Sequence, residues 1–116
     1  MIKNAQITGT DLGNVANGMF TLWLHLDYSG SGQGFGGYGM DDYNKDTKRR
    51  EGSAYGMEFI KAILSAVGVE KWEDLKGKYI RVVVDDDINH KILGIGHITE
   101  DKWFRPEIDL DWCKSK

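Results

Sequence analysis

The clearest signal in the chain is a strict two-residue alternation over residues 19–28. Phe20, Leu22, Leu24 and Leu26 fall on one side, and Thr21, Trp23, His25 and Asp27 fall on the other. Successive strand side chains point to opposite faces, so this stretch predicts a strand with one apolar face in the core. Its other face, with an indole, an imidazole and a carboxylate, is half polar and suits the lining of a cleft. Residues 2–10 alternate more loosely and predict a first strand ending in the turn Gly9-Thr10-Asp11-Leu12-Gly13; Asn17-Gly18 is a second turn signal. Between Gly52-Ser53 and Gly68, the residues Met57, Phe59, Ile60, Ile63, Leu64 and Val67 recur at helical spacing. They predict one amphipathic helix with Gly68 as its left-handed C-terminal cap. A short helical turn is expected over residues 69–75. β-Branched alternation over residues 79–84 and a further run over 91–99, joined by a polar turn, predict an antiparallel hairpin. Trp103-Phe104-Arg105-Pro106 begins an irregular tail. The sum is an α+β domain: an antiparallel twisted sheet of five or six strands packed with one main amphipathic helix, with a small partly open barrel as the alternative.

Length and composition narrow this picture. A chain of 116 residues builds one core, so a single domain over residues 1–116 is expected, and 41% hydrophobic residues suffice to fill it. The net charge of −3 is a poor electrostatic match for duplex nucleic acid, where affinity comes from neutralising phosphates with a basic face. A small anionic ligand held by local cations fits better. Cys113 is the only cysteine, so no internal disulfide is expected. Met1-Ile-Lys-Asn-Ala runs into an alternating segment without a continuous apolar stretch, so neither a signal peptide nor a membrane helix is expected.

Glycine is the anomaly of composition: 15 residues, six of them within residues 30–39. Gly32-x-Gly34-x-x-Gly37 matches the dinucleotide fingerprint as a string, yet that motif works only where a helix starts inside it and aims its amides at a pyrophosphate. Here a charged stretch follows, with eight charged residues among residues 41–51, which predicts a solvated loop. No Gly-Lys-Ser/Thr follows either, which removes a phosphate-binding P-loop. Two readings remain. Either the glycines expose backbone amides beside Phe35 and Tyr38, which suits phosphates and bases, or they form a tight hairpin or subunit contact.

Asp85, Asp86 and Asp87 read as a solvated turn, because a calcium loop needs a glycine and a glutamate where His90 and Gly96 stand. His25, His90, His97 and Cys113 lack a ligand spacing, so no metal and no cofactor are expected. No nucleophile elbow or other catalytic constellation is present, and no enzyme activity is expected. Arg105 follows Trp103-Phe104, where a guanidinium beside an aromatic either grips a phosphate or stacks on a packed tryptophan at the surface.

Read together, several stretches resemble a known family. They are Gly32-Gln33-Gly34-Phe35-Gly36-Gly37-Tyr38-Gly39-Met40-Asp41, Glu58-Phe59-Ile60-Lys61, residues 67–79, Gly94-Ile95-Gly96-His97-Ile98 and Asp101-Lys102-Trp103-Phe104. This pattern, over residues 2–106, is similar to the anti-Thoeris sponge family of small Gram-positive phage and prophage proteins. The resemblance implies counter-defence in the cytoplasm of the infected bacterial host. Such proteins bind glycocyclic ADP-ribose signals released by TIR-domain proteins and hold them uncleaved, in pockets at a subunit interface of a homodimer or a higher homo-oligomer such as a hexamer. The positions implied for that pocket are Tyr79, Asn89, His90, Phe104 and Arg105. A second site for cyclic oligonucleotides is implied at Gly36, Gly37, Tyr38 and Arg50. His25 stands where a permanent cation would be expected, which bears on ligand specificity.

Two other classes compete. An acidic phage protein can inhibit a host defence protein by imitating nucleic acid. Leu75-x-Gly77-x-Tyr79-x-Arg81-Val82 before a hairpin has an OB-like character, and sheet aromatics stack single-stranded bases, although the acidic balance opposes this.

Overall fold

The computed structural model describes residues 1–28, 30–86 and 91–113. Its strands are β1 (Ile2–Ala16), β2 (Met19–Tyr28), β3 (Ser31–Gly36), β4 (Asp41–Asn44), β5 (Arg49–Gly52), β6 (Tyr79–Val84), β7 (Ile92–His97) and β8 (Trp103–Phe104). The helices are α1 (Ala54–Val67) and the single turn α2 (Pro106–Asp109), with 3-10 turns at Trp72–Asp74 and Asp111–Cys113. Six strands join in one antiparallel sheet of order β3-β2-β1-β6-β7-β8, and β4 and β5 form a separate hairpin. This is the expected α+β architecture.

Three local expectations need correction. The first strand does not turn at Gly9 but continues to Ala16, because a bulge between Ile7 and Gly9 absorbs the break in its pattern. The side-chain parity of β1 switches there, so that Ala5 and Ile7 point inward before the bulge, while Thr10 and Leu12 stand opposite the inward Leu24 and Leu22 after it. The charged stretch at residues 41–51 is not a loop but the β4–β5 hairpin, whose turn is held by Asn44 Oδ1 accepting from the Asp46 and Thr47 amides. The tail after Lys102 contributes β8, which pairs Phe104 with Ile95 and Trp103 with Gly96.

Helix α1 follows its sequence signals. The Ser53 hydroxyl accepts from the Gly56 amide at 3.0 Å, and Gly68 closes the far end at φ 88° with its amide on the Leu64 carbonyl. One face of the helix, Phe59, Ile63, Ala66 and Val67, is buried with the inward residues of the sheet, including Leu24, Ile80, Val82 and Ile95. The Phe59 ring lies 5.0 Å from Phe104 and 6.0 Å from Phe35, which ties the helix to β8 and β3. Among the described residues no helix is long and apolar enough to cross a membrane.

With the helix on one side, the outward positions of the sheet carry small residues beneath large ones. A side chain at Gly34 or Gly37 would meet the indole of Trp23, and one at Gly96 would meet that of Trp103. Both tryptophans therefore lie flat on glycine backbone.

Gly56 lies inside α1, where replacing glycine by alanine ordinarily stabilises a helix by about 1 kcal/mol. Here an added methyl would run into the Met40 carbonyl. Gly56→Ala is therefore expected to destabilise the fold, by about 1–3 kcal/mol, read as a lowered midpoint in urea.

Candidate ligand-binding face

The register places Gln6 and Asn4 of β1, Tyr79 and Arg81 of β6, Gly96 of β7 and Trp103 of β8 across one outward surface, with Trp23 and His25 on its β2 side. Tyr79 is 61% exposed, beyond what a packed tyrosine shows, and it stands at the first position of its strand. Arg81 is fully engaged: Nε donates to the His97 carbonyl, Nη2 donates to the Glu100 carbonyl, and the guanidinium lies 4.3 Å from the Trp103 ring centre. Trp103 is thus held between Gly96 and Arg81, with its Nε1 donating to Asp101 at 2.8 Å. On β2, His25 Nε2 and Asp11 Oδ2 share a hydrogen bond of 2.7 Å beside the Trp23 indole.

Arg105 follows β8 and its stem lies over Gly94. Its amide donates to Asp109 Oδ2, capping α2, and its side chain is exposed. Four arginines occur in the chain. Arg49 pairs with Glu51, Arg50 with Asp41, and Arg81 with two carbonyls and an indole. Among the described residues, Arg105 is the one arginine whose guanidinium has no partner.

Of the residues expected at the first site, Tyr79 and Arg105 share the outward face but stand apart. Arg105 is level with Gly94 and Val83, four residues along from Tyr79 and two strands across. That offset is about 13 Å along the strands and about 10 Å between them. Phe104 is not on this face. It is 2% exposed, with its ring edge-on to Phe59, because alternation along β8 sends it into the core when Trp103 points out. Asn89 and His90 lie outside the described residues; Asp85 and Lys91, on either side of them in sequence, sit at the end of the β6–β7 pair remote from Tyr79.

The second expected site does not assemble as a phosphate cradle. The Gly37 amide donates to the Leu22 carbonyl and the Met40 amide to the Phe20 carbonyl, so these donors are engaged within the fold. Gly36 packs against the Leu22 carbonyl, and the Gly37 position is covered by Trp23. The Tyr38 ring packs 5.2 Å from Phe59; burial, and then the nearby Glu107 charge, push its hydroxyl above the ordinary tyrosine range. Arg50 is elsewhere, beside a cavity of about 350 Å³ lined by Phe20, Met40, Met57 and Ile60 between the β4–β5 hairpin and the start of α1. Its Nε and Nη2 both bond the Asp41 carboxylate, and Glu51 adds a further negative charge. An anion gains little there.

Sequence reasoning missed Trp23 as a consequence of the glycines, and it missed Asp41. The signal for the first was present, since Gly32, Gly34 and Gly36 alternate like a strand whose neighbour offers one large outward ring. Among the described residues no three His, Cys, Asp or Glu side chains converge to hold a metal ion. No protein-family model, curated protein or solved structure matches the chain.

The bond from Arg50, and then the Phe20 amide at 3.1 Å, hold the Asp41 carboxyl below the ordinary carboxylate range. A folded value lowered in this way contributes stability that is complete above the unfolded value of about 4 and is lost as pH falls through the folded value. Asp41→Asn is therefore expected to lower the urea midpoint at neutral pH. The gap between the two proteins should narrow steadily as pH falls below about 4.

Proposed function

We propose that this chain binds and sequesters a cyclic ADP-ribose-type signalling nucleotide without cleaving it, as a phage counter-defence protein in the cytoplasm of the infected host. The observation that carries the reading is the unpartnered guanidinium of Arg105 on the same outward face as the exposed ring of Tyr79. A ligand with two phosphates and a base needs a permanent cation and a π-face, and the other arginines of the chain are already engaged. The resemblance of residues 32–41, 58–61, 67–79, 94–98 and 101–104 to the anti-Thoeris sponges supports the same ligand class. Because a sequestering protein has no turnover, it has to hold its ligand at about the nanomolar level, or about −12 kcal/mol.

One subunit holds Tyr79 and Arg105 too far apart for a compact cyclic nucleotide to touch both. The site we propose therefore lies between two subunits, with Tyr79 from one facing Arg105 from the other, in a homodimer or a larger homo-oligomer. Such a pocket excludes water from both sides of the ligand and collects donors from both chains. A site for single-stranded nucleic acid is disfavoured by Asp11 and Asp27, which stand beside and near Trp23 on the outward face and would meet the phosphates of any base stacked there.

Purified protein mixed with glycocyclic ADP-ribose should remove it from an ultrafiltrate and release it unaltered on heating. Ligand left free, or returned as a degraded product, contradicts the reading. Arg105→Ala and Tyr79→Ala should each abolish retention without lowering the thermal midpoint. Subunit exchange between the two inactive variants should restore about a quarter of the sites, since one site in each mixed dimer then has both residues. A site within one chain would recover none.

A further inference from the structure

The β4–β5 hairpin has no place in the core. A two-stranded hairpin is marginally stable by itself, and in this one no residue of either strand is buried. It is held instead at the edge of the cavity beside α1. The Asp41 carboxylate accepts from the Phe20 amide and from Arg50, and the Ser53 hydroxyl, just past β5, donates to the Met40 carbonyl at 2.8 Å. Alternation puts Asp41, Tyr43, Arg50 and Gly52 on one face of the hairpin. Asp41, Arg50 and Gly52 all line the cavity, so that face is its wall.

The opposite wall is apolar and fixed. Phe20, Met40, Met57 and Ile60 form it, and α1 approaches so closely that a side chain at Gly56 would strike the Met40 carbonyl. Met57 stays 59% exposed although it stands among the other apolar side chains of the cavity. Volume sets the size of an occupant. An apolar cavity of about 150 Å³ accepts one benzene, and this one measures about 350 Å³, room for two fused rings. Charge narrows the class further. The ionisable lining residues are Asp41, Arg50 and Glu51; Asp41 is answered by Arg50 and Glu51 by Arg49, so a charged ligand would lose hydration without meeting an unpaired opposite charge. Arg50 bonds Asp41 through Nε and Nη2, and among the described residues its Nη1 has no acceptor. A carbonyl or ring nitrogen of a ligand would supply one.

We propose that this cavity is a binding site for a small uncharged compound of about two fused rings that carries a hydrogen-bond acceptor, with the β4–β5 hairpin as its polar wall. The site shares no residue with Tyr79 and Arg105, and the inference stands apart from the nucleotide reading.

Coumarin, an uncharged bicyclic lactone, is a suitable probe, and the methionine methyls are the reporters. Met40 and Met57 line the cavity, whereas Met1 lies at the other end of β1 from Asn14. In protein isotope-labelled at its methionine methyls, coumarin should shift the Met40 and Met57 resonances saturably and leave Met1 in place. Coumarin-3-carboxylate, the same rings with a charge, should shift none of them. A side chain at Gly52 meets nothing within 4 Å, so Gly52→Phe sets a ring on the cavity face and should abolish the coumarin shifts at an unchanged thermal midpoint. Shifts that do not saturate, that Gly52→Phe retains, or that the carboxylate reproduces overturn the proposal. So does a Met57 resonance that follows protein concentration instead of coumarin, because a second copy then fills the cavity. Nucleotide retention is read separately: coumarin binding without retention defeats only the nucleotide reading, and retention without coumarin binding defeats only the cavity.

Discussion

The packing of Phe59 is the contact on which the rest of the structure turns. Its ring touches Phe35 on β3, Tyr38 just beyond it, Tyr55 one turn back on α1 and Phe104 on β8, all with ring centres within 6.0 Å. Strands β3 and β8 are the two ends of the sheet order, so a single side chain of α1 ties both ends of the sheet to that helix. The sheet has to curl around the helix for this to happen. Its inward face is then filled with Leu, Ile, Val and Phe, and its outward face is left to tryptophans lying on glycines and to the exposed Tyr79. The outward face is thus the by-product of a core built on one side only.

Elements with a single dominant period were legible in the sequence. β2, β6 and β7 follow from alternation, and α1 from its spacing together with Ser53 and Gly68, because in each the local preference and the burial pattern agree. β1 was legible only to its bulge, since an inserted residue reverses the parity on which the reading depends. The β4–β5 hairpin was hidden for another reason. It buries almost nothing and is held by polar links such as Asn44 to Glu51 and Arg50 to Asp41, which leave no hydrophobic period to find.

The candidate site divides along the same line. Tyr79 could be placed on an outward face by counting from the strand pattern. Phe104 could not, because its inward direction depends on where the two-residue strand β8 pairs, and nothing so short carries its own period. Arg50 was placed at the second site by the resemblance alone. Its partner Asp41 is nine positions away, at the other end of a hairpin that the sequence does not announce. The glycine segment misled most, since glycine marks close approach without saying what approaches. Here it is an indole from the neighbouring strand.

The central place of β1 in the sheet also bears on synthesis. Asn4 pairs with Arg81, so one edge of β1 waits for residues that leave the ribosome long after β1, β2 and β3. At about 5–20 residues per second, synthesis from the end of β3 at Gly36 to the start of β6 at Tyr79 takes on the order of 2–9 s. Over that interval the nascent three-stranded meander presents the edge of β1 that β6 later covers. Long-range pairing of this kind is slow even in a released chain. The nascent protein is therefore most exposed to wrong partners before β6 arrives, and crowding of identical nascent chains on one message would set like edges side by side.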